Sequence, residues 1–280
     1  MTPTTAPLPH CSLGAATGPL LVYFHGAPGG LAEAQALQAD AQRLGLRVIC
    51  QERFAAPSAL AGEAYFQALA DDVARHAQGQ PVDLVGFSIG TFVALQVARL
   101  LGAQVRSLHL VSAAAPLEGG DFLPAMAGRP VFQLAQRQPH LLRALTAVQG
   151  LLARVAPDAL LGSLFASAQG ADQALRTDPA FRQRTLHDLR RCFNALRSGY
   201  VRDVVAYVQP WHAQLRGVAA PTHLWHGDAD NWSPPAMARY LQQQLPDCVE
   251  CQVLPGLSHY STLHMALPRI GAQIAGAATQ

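Results

Sequence analysis

Three residue types stand along the chain in an order that could run nucleophilic chemistry: a serine between glycines, then an aspartate in a turn, then a histidine. The serine is Ser88, in Gly86-Phe87-Ser88-Ile89-Gly90. A serine hydroxyl is a poor nucleophile at neutral pH; it needs a base, and the base needs a carboxylate to orient it. His259, in Gly256-Leu257-Ser258-His259, is the base on offer, and two carboxylates compete to orient it, Asp228 and Asp230 in His226-Gly227-Asp228-Ala229-Asp230. The reaction would also need donors for the negative charge that develops on an attacked carbonyl. One could come from the turn His25-Gly26-Ala27-Pro28-Gly29-Gly30. Pro28 has no N–H, which narrows that donor to the backbone of Ala27. The second would be the N–H of Ile89, just after the serine.

These residues need elements that bring them together. Over the first two-fifths of the chain, short apolar runs at 20–24, 47–51, 83–86 and 105–111 read as strands, and longer periodic stretches at 31–44, 60–77 and 91–101 read as helices. That alternation predicts βαβ units and a parallel sheet, with strands apolar on both faces because helices cover both. Ser88 then falls in a sharp strand-to-helix turn, where flanking glycines relieve crowding and unpaired helix-start N–H groups are at hand. After a helical block, the pattern resumes with strands at 221–226 and 249–254 and helices at 235–245 and 261–274. The aspartate turn and the His259 loop each follow one of these strands, at the strand ends where a parallel sheet collects its functional side chains. The adjacent glycine-containing loop predicts an exposed imidazole at His259.

From about 116 to 216 no strand is readable; helices are predicted at 139–155, 159–168 and 181–198. Residues 1–115 and 217–280 therefore read as one catalytic domain and 116–216 as a helical lid inserted in it. Leu141, Leu142, Leu145, Val148, Leu151, Leu152 and Val155 recur at helical spacing and give one apolar face. Most of that face is expected to pack on the catalytic domain. Between 116 and 217 there are 12 Arg against seven Asp plus Glu, so this block is net basic. Arg182, Arg184, Arg190 and Arg191 are expected to form a solvated helix face.

Each feature has a plainer reading. Ser88 could be an ordinary helix cap in a glycine-rich loop, and the 25–30 turn a phosphate cradle. The latter lacks G-x-x-x-x-G-K, and the chain contains no Lys at all. His264 reads as packed on the last helix, His223 as a core or interface residue, His226 as a brace for the aspartate turn, and Asp71 and Asp72 as caps or solvated positions of the second helix. Trp232 could line a pocket or serve as a buried indole.

Taken as an ordered set, four segments resemble the α/β-hydrolase superfamily over nearly the whole length. They are the His25-Gly26 loop, the Ser88 elbow, the Gly227-x-x-Asp230 turn followed by Pro234, and the Gly256-x-Ser258-His259 loop. The resemblance implies a mostly parallel, doubly wound α/β sheet and places the acid at the end of G-x-x-D, which selects Asp230 over Asp228. It implies Ser88 as nucleophile, His259 as base, Ala27 and Ile89 as oxyanion donors, and neither cofactor nor metal. Two departures stand out. Only 24 residues precede His25, where relatives often carry a full β-hairpin, so the first strand is expected to be short or missing. After the second sheet strand, many relatives have a glycine-containing Asp-Arg-Gly-x-Gly-x-Ser turn; here Arg53 and Ser58 remain without the glycines.

The bulk numbers fit such a chain. It has 280 residues, half of them hydrophobic and 14% charged, with a net charge of +2. Near neutrality argues against a general nucleic-acid binder. No apolar run approaches the ~20 residues of a membrane span, and no secretory signal is readable, so a cytoplasmic location is expected. Five scattered cysteines fit reduced thiols better than a disulfide framework, and Cys248 and Cys251 lack a second pair for zinc. The leading functional reading is a carboxylic-ester or thioester hydrolase acting on a small, lipophilic acyl substrate. The alternatives are an amidase or peptidase, since His25–Gly30 looks like the oxyanion loop of proline iminopeptidases, and a non-hydrolytic binding protein on the same scaffold. Glu118 is the only Glu between Glu63 and Glu250, which leaves a peptidase little to hold a substrate ammonium.

Overall fold

The computed structural model describes residues 7–278. Seven strands form one sheet: β1 (His10–Gly14), β2 (Leu20–Phe24), β3 (Arg47–Gln51), β4 (Val82–Phe87), β5 (Val105–Val111), β6 (Thr222–Gly227) and β7 (Cys248–Leu254). Their spatial order is β1-β3-β2-β4-β5-β6-β7. Only β1 runs antiparallel, pairing with β3 at the edge, while the others are parallel. The parallel sheet predicted from apolar run lengths is therefore present, and every residue of β2 and β4 is buried. Ahead of β2 the described residues supply one short strand, β1.

Helices α1 (Leu31–Ala34), α2 (Gln38–Arg43), α3 (Gly62–Ala77) and α4 (Ile89–Leu101) connect the first strands. The helix predicted over 31–44 is interrupted by a 3-10 turn at Gln35–Leu37. Between β5 and β6 come α5 (Arg129–Arg137), α6 (Pro139–Val155), α7 (Pro157–Leu164), α8 (Asp172–Leu175), α9 (Pro179–Cys192) and α10 (Arg197–Tyr207). The single helix expected over 181–198 is thus two. Asn194 separates them: its Nδ2 donates to the Arg190 carbonyl (2.8 Å) and the Gly150 carbonyl (3.2 Å), which takes up a carbonyl that α9 leaves unpaired at its end. The last helices are α11 (Pro235–Gln244) and α12 (His259–Ala278). No helix among the described residues is long and apolar enough to cross a membrane.

Two expectations about side chains are overturned. Of the apolar series on α6, Leu142 is buried, whereas Leu141, Val148, Leu151, Leu152 and Val155 are exposed, Val155 by 69%. Asp72 is neither a cap nor solvated. It is fully buried and accepts hydrogen bonds from Gln51 Nε2 (2.7 Å) and the Leu8 N–H (3.3 Å), tying β3 and the N-terminal segment to α3. Of the α9 arginines, Arg190 and Arg191 are exposed as expected, whereas Arg182 and Arg184 are half-buried; Arg182 pairs with Asp158 at 2.6 Å and Arg191 with Glu52 at 3.1 Å.

Candidate active site

Ser88 occupies the turn between β4 and α4 with φ 54° and ψ −128°. A positive φ in a non-glycine residue is strained, and such strain persists where surrounding contacts enforce it. Here those contacts are backbone. A Cβ on Gly90 would lie 2.2 Å from the Phe24 carbonyl oxygen and 2.4 Å from that of His25. A Cβ on Gly86 would lie 2.7 Å from the Gly90 carbonyl oxygen and 2.7 Å from Thr91 Cα. Both glycines are needed for close approach, and with them α4 starts hard against the end of β2. The Ile89 N–H, first of that helix, has no intrahelical acceptor.

Asp230 and His259 meet across the ends of β6 and β7. His259 Nδ1 lies 2.8 Å from Asp230 Oδ2, and since a carboxylate only accepts, Nδ1 carries the proton and leaves Nε2 free as an acceptor. Asp230 Oδ1 accepts the N–H groups of Trp232 (2.8 Å) and Ser233 (2.9 Å). Burial alone would raise the Asp230 pKa. The His259 charge and hydrogen bond, His226 and the Ser233 N–H outweigh it and hold the carboxyl below its usual value. His226 braces this turn, donating from Nε2 to the Ser233 carbonyl at 2.7 Å. Asp228, the competing acid, points elsewhere and accepts the Gly256 N–H at 2.8 Å.

His259 is not exposed, contrary to the expectation from its loop. It is 2% accessible and is the first residue of α12. Trp232 stacks over its imidazole (centroids 5.8 Å apart, planes at 21°), and Phe87 packs on it at 4.8 Å. Two residues that the sequence did not single out hold its backbone. Ser112, at φ 48° after β5, donates its hydroxyl to the His259 carbonyl at 2.9 Å. Asp172 of α8, fully buried, accepts the N–H groups of Tyr260 (2.9 Å) and Ser261 (2.7 Å). It caps the helix that begins at His259.

The 25–30 loop is held as firmly. Arg53, fully buried in a 3-10 turn after β3, donates to the carbonyls of His25 (2.7 Å) and Gly26 (3.2 Å) and pairs with Asp203 of α10 at 2.7 Å. That is the use of the arginine that remains where the glycines are absent. Glu33 Oε1 accepts the Gly26 N–H at 2.8 Å and the Tyr23 hydroxyl at 2.7 Å, and burial pushes its pKa to about 7. Asp188 of α9 accepts the N–H groups of Ala32 (3.1 Å) and Glu33 (2.9 Å), and burial together with the Glu33 charge lifts it to about 7 as well. Neither Glu33, Asp188 nor Asp203 carries a sequence signature beyond being acidic.

Ser88, Ala27 and Ile89 line one cavity of about 160 Å³. Met126, Phe132, Gln149, Phe193, Tyr200 and Trp232 are among its other walls, and no charged side chain among the described residues contributes. A larger groove, about 810 Å³, lies between α3, α4 and α10, but it contains none of these groups.

A model of the alpha/beta hydrolase family matches residues 21–268, so the chain belongs to that family. Among solved structures it is similar to an esterase from Thermogutta terrifontis (17% identity, 95% of this chain and 93% of that one covered, TM-score 0.66). It is similar also to the enol-lactonase from Burkholderia xenovorans LB400 (16%, 97% and 96%, TM-score 0.66) and to a proline iminopeptidase from Mycobacterium smegmatis (16%, 96% and 95%, TM-score 0.64). At these identities the likeness is one of fold. No curated protein matches the chain in sequence.

Proposed function

We propose that the chain is a serine hydrolase that cleaves a small, uncharged carboxylic ester or thioester through an acyl-enzyme on Ser88. The observation that carries this reading is the His259–Asp230 hydrogen bond of 2.8 Å, with the His259 ring 4.8 Å from that of Phe87, the residue before a strained Ser88 that lines an uncharged cavity. His259 Nε2 takes the Ser88 proton as Oγ attacks the carbonyl carbon. The N–H groups of Ala27 and Ile89 stabilise the oxyanion, and the imidazolium, steadied by ionised Asp230, returns its proton to the leaving alcohol or thiol. Water activated by the same imidazole then releases the acid. The helices between β5 and β6 act as a lid whose inner residues, Gln149, Phe193 and Tyr200, meet the acyl or leaving group.

The peptidase reading lacks a carboxylate in the right place. Glu118 Oε1 is taken by the N–H groups of Trp211 and His212, both at 2.6 Å, and no acidic residue lines the cavity. A binding protein would need neither the oriented imidazole nor the strained serine. The test is labelling by a fluorophosphonate probe together with turnover of short and medium p-nitrophenyl esters. Wild type should label and turn over, and Ser88→Ala should do neither. A folded wild type that stays unlabelled would overturn the proposal.

A further inference from the structure

The outward face of α6 is left uncovered by the described residues of the chain. On a helical projection Leu141, Ala144, Val148, Leu151, Leu152 and Val155 fall on one side, opposite buried Leu142, Thr146, Gly150 and Ala153. The exposures are 42% for Leu141, 56% for Val148, 59% for Leu151, 37% for Leu152 and 69% for Val155. Single exposed aliphatic residues are ordinary, but five along one 17-residue helix form a continuous stripe.

The charges carried by α6 itself are of one sign. The α6 sequence contains Arg143 and Arg154 and no acid. Arg197 joins Arg154 and Leu151 around one shallow depression beside it. None of these three arginines forms an ion pair among the described residues. The nearest acid along the chain, Asp158, is already held by Arg182 at 2.6 Å. Of the insertion's seven acids, Asp172, Asp188 and Asp203 are buried against the body, and the four exposed ones, Glu118, Asp121, Asp158 and Asp178, all lie outside α6.

We propose that this face docks on an anionic lipid surface, the aliphatic stripe entering the interfacial layer and the arginines meeting lipid phosphates. An amphipathic helix with a wide apolar face and arginines at its edge suits that environment, because long cationic side chains reach back to the headgroups while their stems stay in the apolar layer. A second copy of the chain is the other possible cover for the stripe. It would bring the edge formed by Arg154 and Arg197 against its own equivalent, with no acid among the described residues lining that depression to offset it, which disfavours it. The proposal is independent of the hydrolase reading, because Ser88 plays no part in it.

Flotation with vesicles of phosphatidylglycerol and phosphatidylcholine tests it, using the full chain and its Ser88→Ala variant side by side. Both should bind vesicles rich in phosphatidylglycerol, bind pure phosphatidylcholine at least about tenfold more weakly, and be released by high salt. Val148→Asp and Leu151→Asp sit at exposed positions and should keep the fold, checked by unchanged thermal melting, yet lower binding about tenfold or more. Arg143→Gln and Arg154→Gln should each lower it about fivefold. Absence of binding to anionic vesicles, or equal binding by the Asp variants, overturns the proposal. So does a wild-type dimer in sedimentation that Leu151→Asp dissociates while vesicles go unbound, which would assign the stripe to self-association.

Discussion

The sheet half of the molecule and the helices inserted between β5 and β6 are built on different constraints. In the sheet half the critical positions are fixed by backbone approach: Gly86 and Gly90 admit no Cβ, and Ser88 and Ser112 hold positive φ. In the inserted helices they are buried carboxylates. Asp172 caps the helix of His259, Asp188 caps the helix after the 25–30 loop, and Asp203 neutralises the arginine that holds that loop. A block that is net basic by count therefore turns three of its seven acids inward, to the segments around Ser88, and leaves most of its arginines outside. It is tied to the site rather than merely laid over it.

The comparison breaks most sharply at the two aspartates of the β6 turn. Asp230→Asn removes the acceptor that fixes the His259 tautomer and should lower kcat by about 10³–10⁴ with the fold intact. Asp228→Asn, which touches only the Gly256 N–H, should cost less than about tenfold. Equal losses in steady-state kinetics would make Asp228 the acid. Glycines give the next largest contrast. Gly90→Ala drives a Cβ into two carbonyl oxygens at 2.2 and 2.4 Å and should destabilise by about 3 kcal/mol or more in urea unfolding. Gly162→Ala, inside α7 with nothing within 4 Å, should stabilise by about 0.5–1 kcal/mol. A Gly90→Ala protein as stable as wild type would refute the close-approach account.

Much of the sheet half was legible in the sequence because its constraints are local. Apolar runs bounded by turns gave β2, β3 and β5 their limits, and a serine between glycines after such a run marks a strand-to-helix turn. The choice of Asp230 needed a family resemblance, since nothing in His226–Asp230 itself separates the two carboxylates. The inserted helices were legible only as helices. Leu142 and Leu141 are neighbours of identical type, yet one is buried and the other 42% exposed, because the partner surface decides and the partner is distant in sequence. Asp172, Asp188 and Asp203 look like any surface acid for the same reason: the groups they serve lie 88, 156 and 150 residues away.

The tie at Asp203 is open to a sharper test. Asp203→Ala leaves the Arg53 guanidinium buried and unpaired and should cost about 3–5 kcal/mol. Replacing both residues, Arg53→Met with Asp203→Leu, should recover part of that stability, because it removes the Arg53 charge along with its partner but takes from Arg202 the carboxylate it meets at 3.3 Å. Activity should stay low in the double variant, since nothing then holds the His25 and Gly26 carbonyls. If activity returns with stability, the pair is merely structural and the 25–30 loop positions itself.

The smallest effect concerns Glu33 and Asp188, where body and insertion meet in two neighbouring carboxyls, that of buried Asp188 and that of half-buried Glu33. In the unfolded chain Glu33 loses its proton near the ordinary carboxylate value, whereas in the folded chain burial holds it to about pH 7. Between those values the folded state binds more protons, so stability should fall as pH rises from about 4.5 to 7. Glu33→Gln keeps an oxygen to accept from the Gly26 N–H and the Tyr23 hydroxyl and stands in for the protonated form. It should therefore flatten that slope and gain on the order of 2 kcal/mol at pH 8 relative to wild type. It also removes the Glu33 charge that raises Asp188, so the remaining carboxyl should titrate lower. Urea unfolding across pH 4.5–8 reads both effects, and a slope unchanged in Glu33→Gln would mean that Asp188 alone carries the proton at this seam.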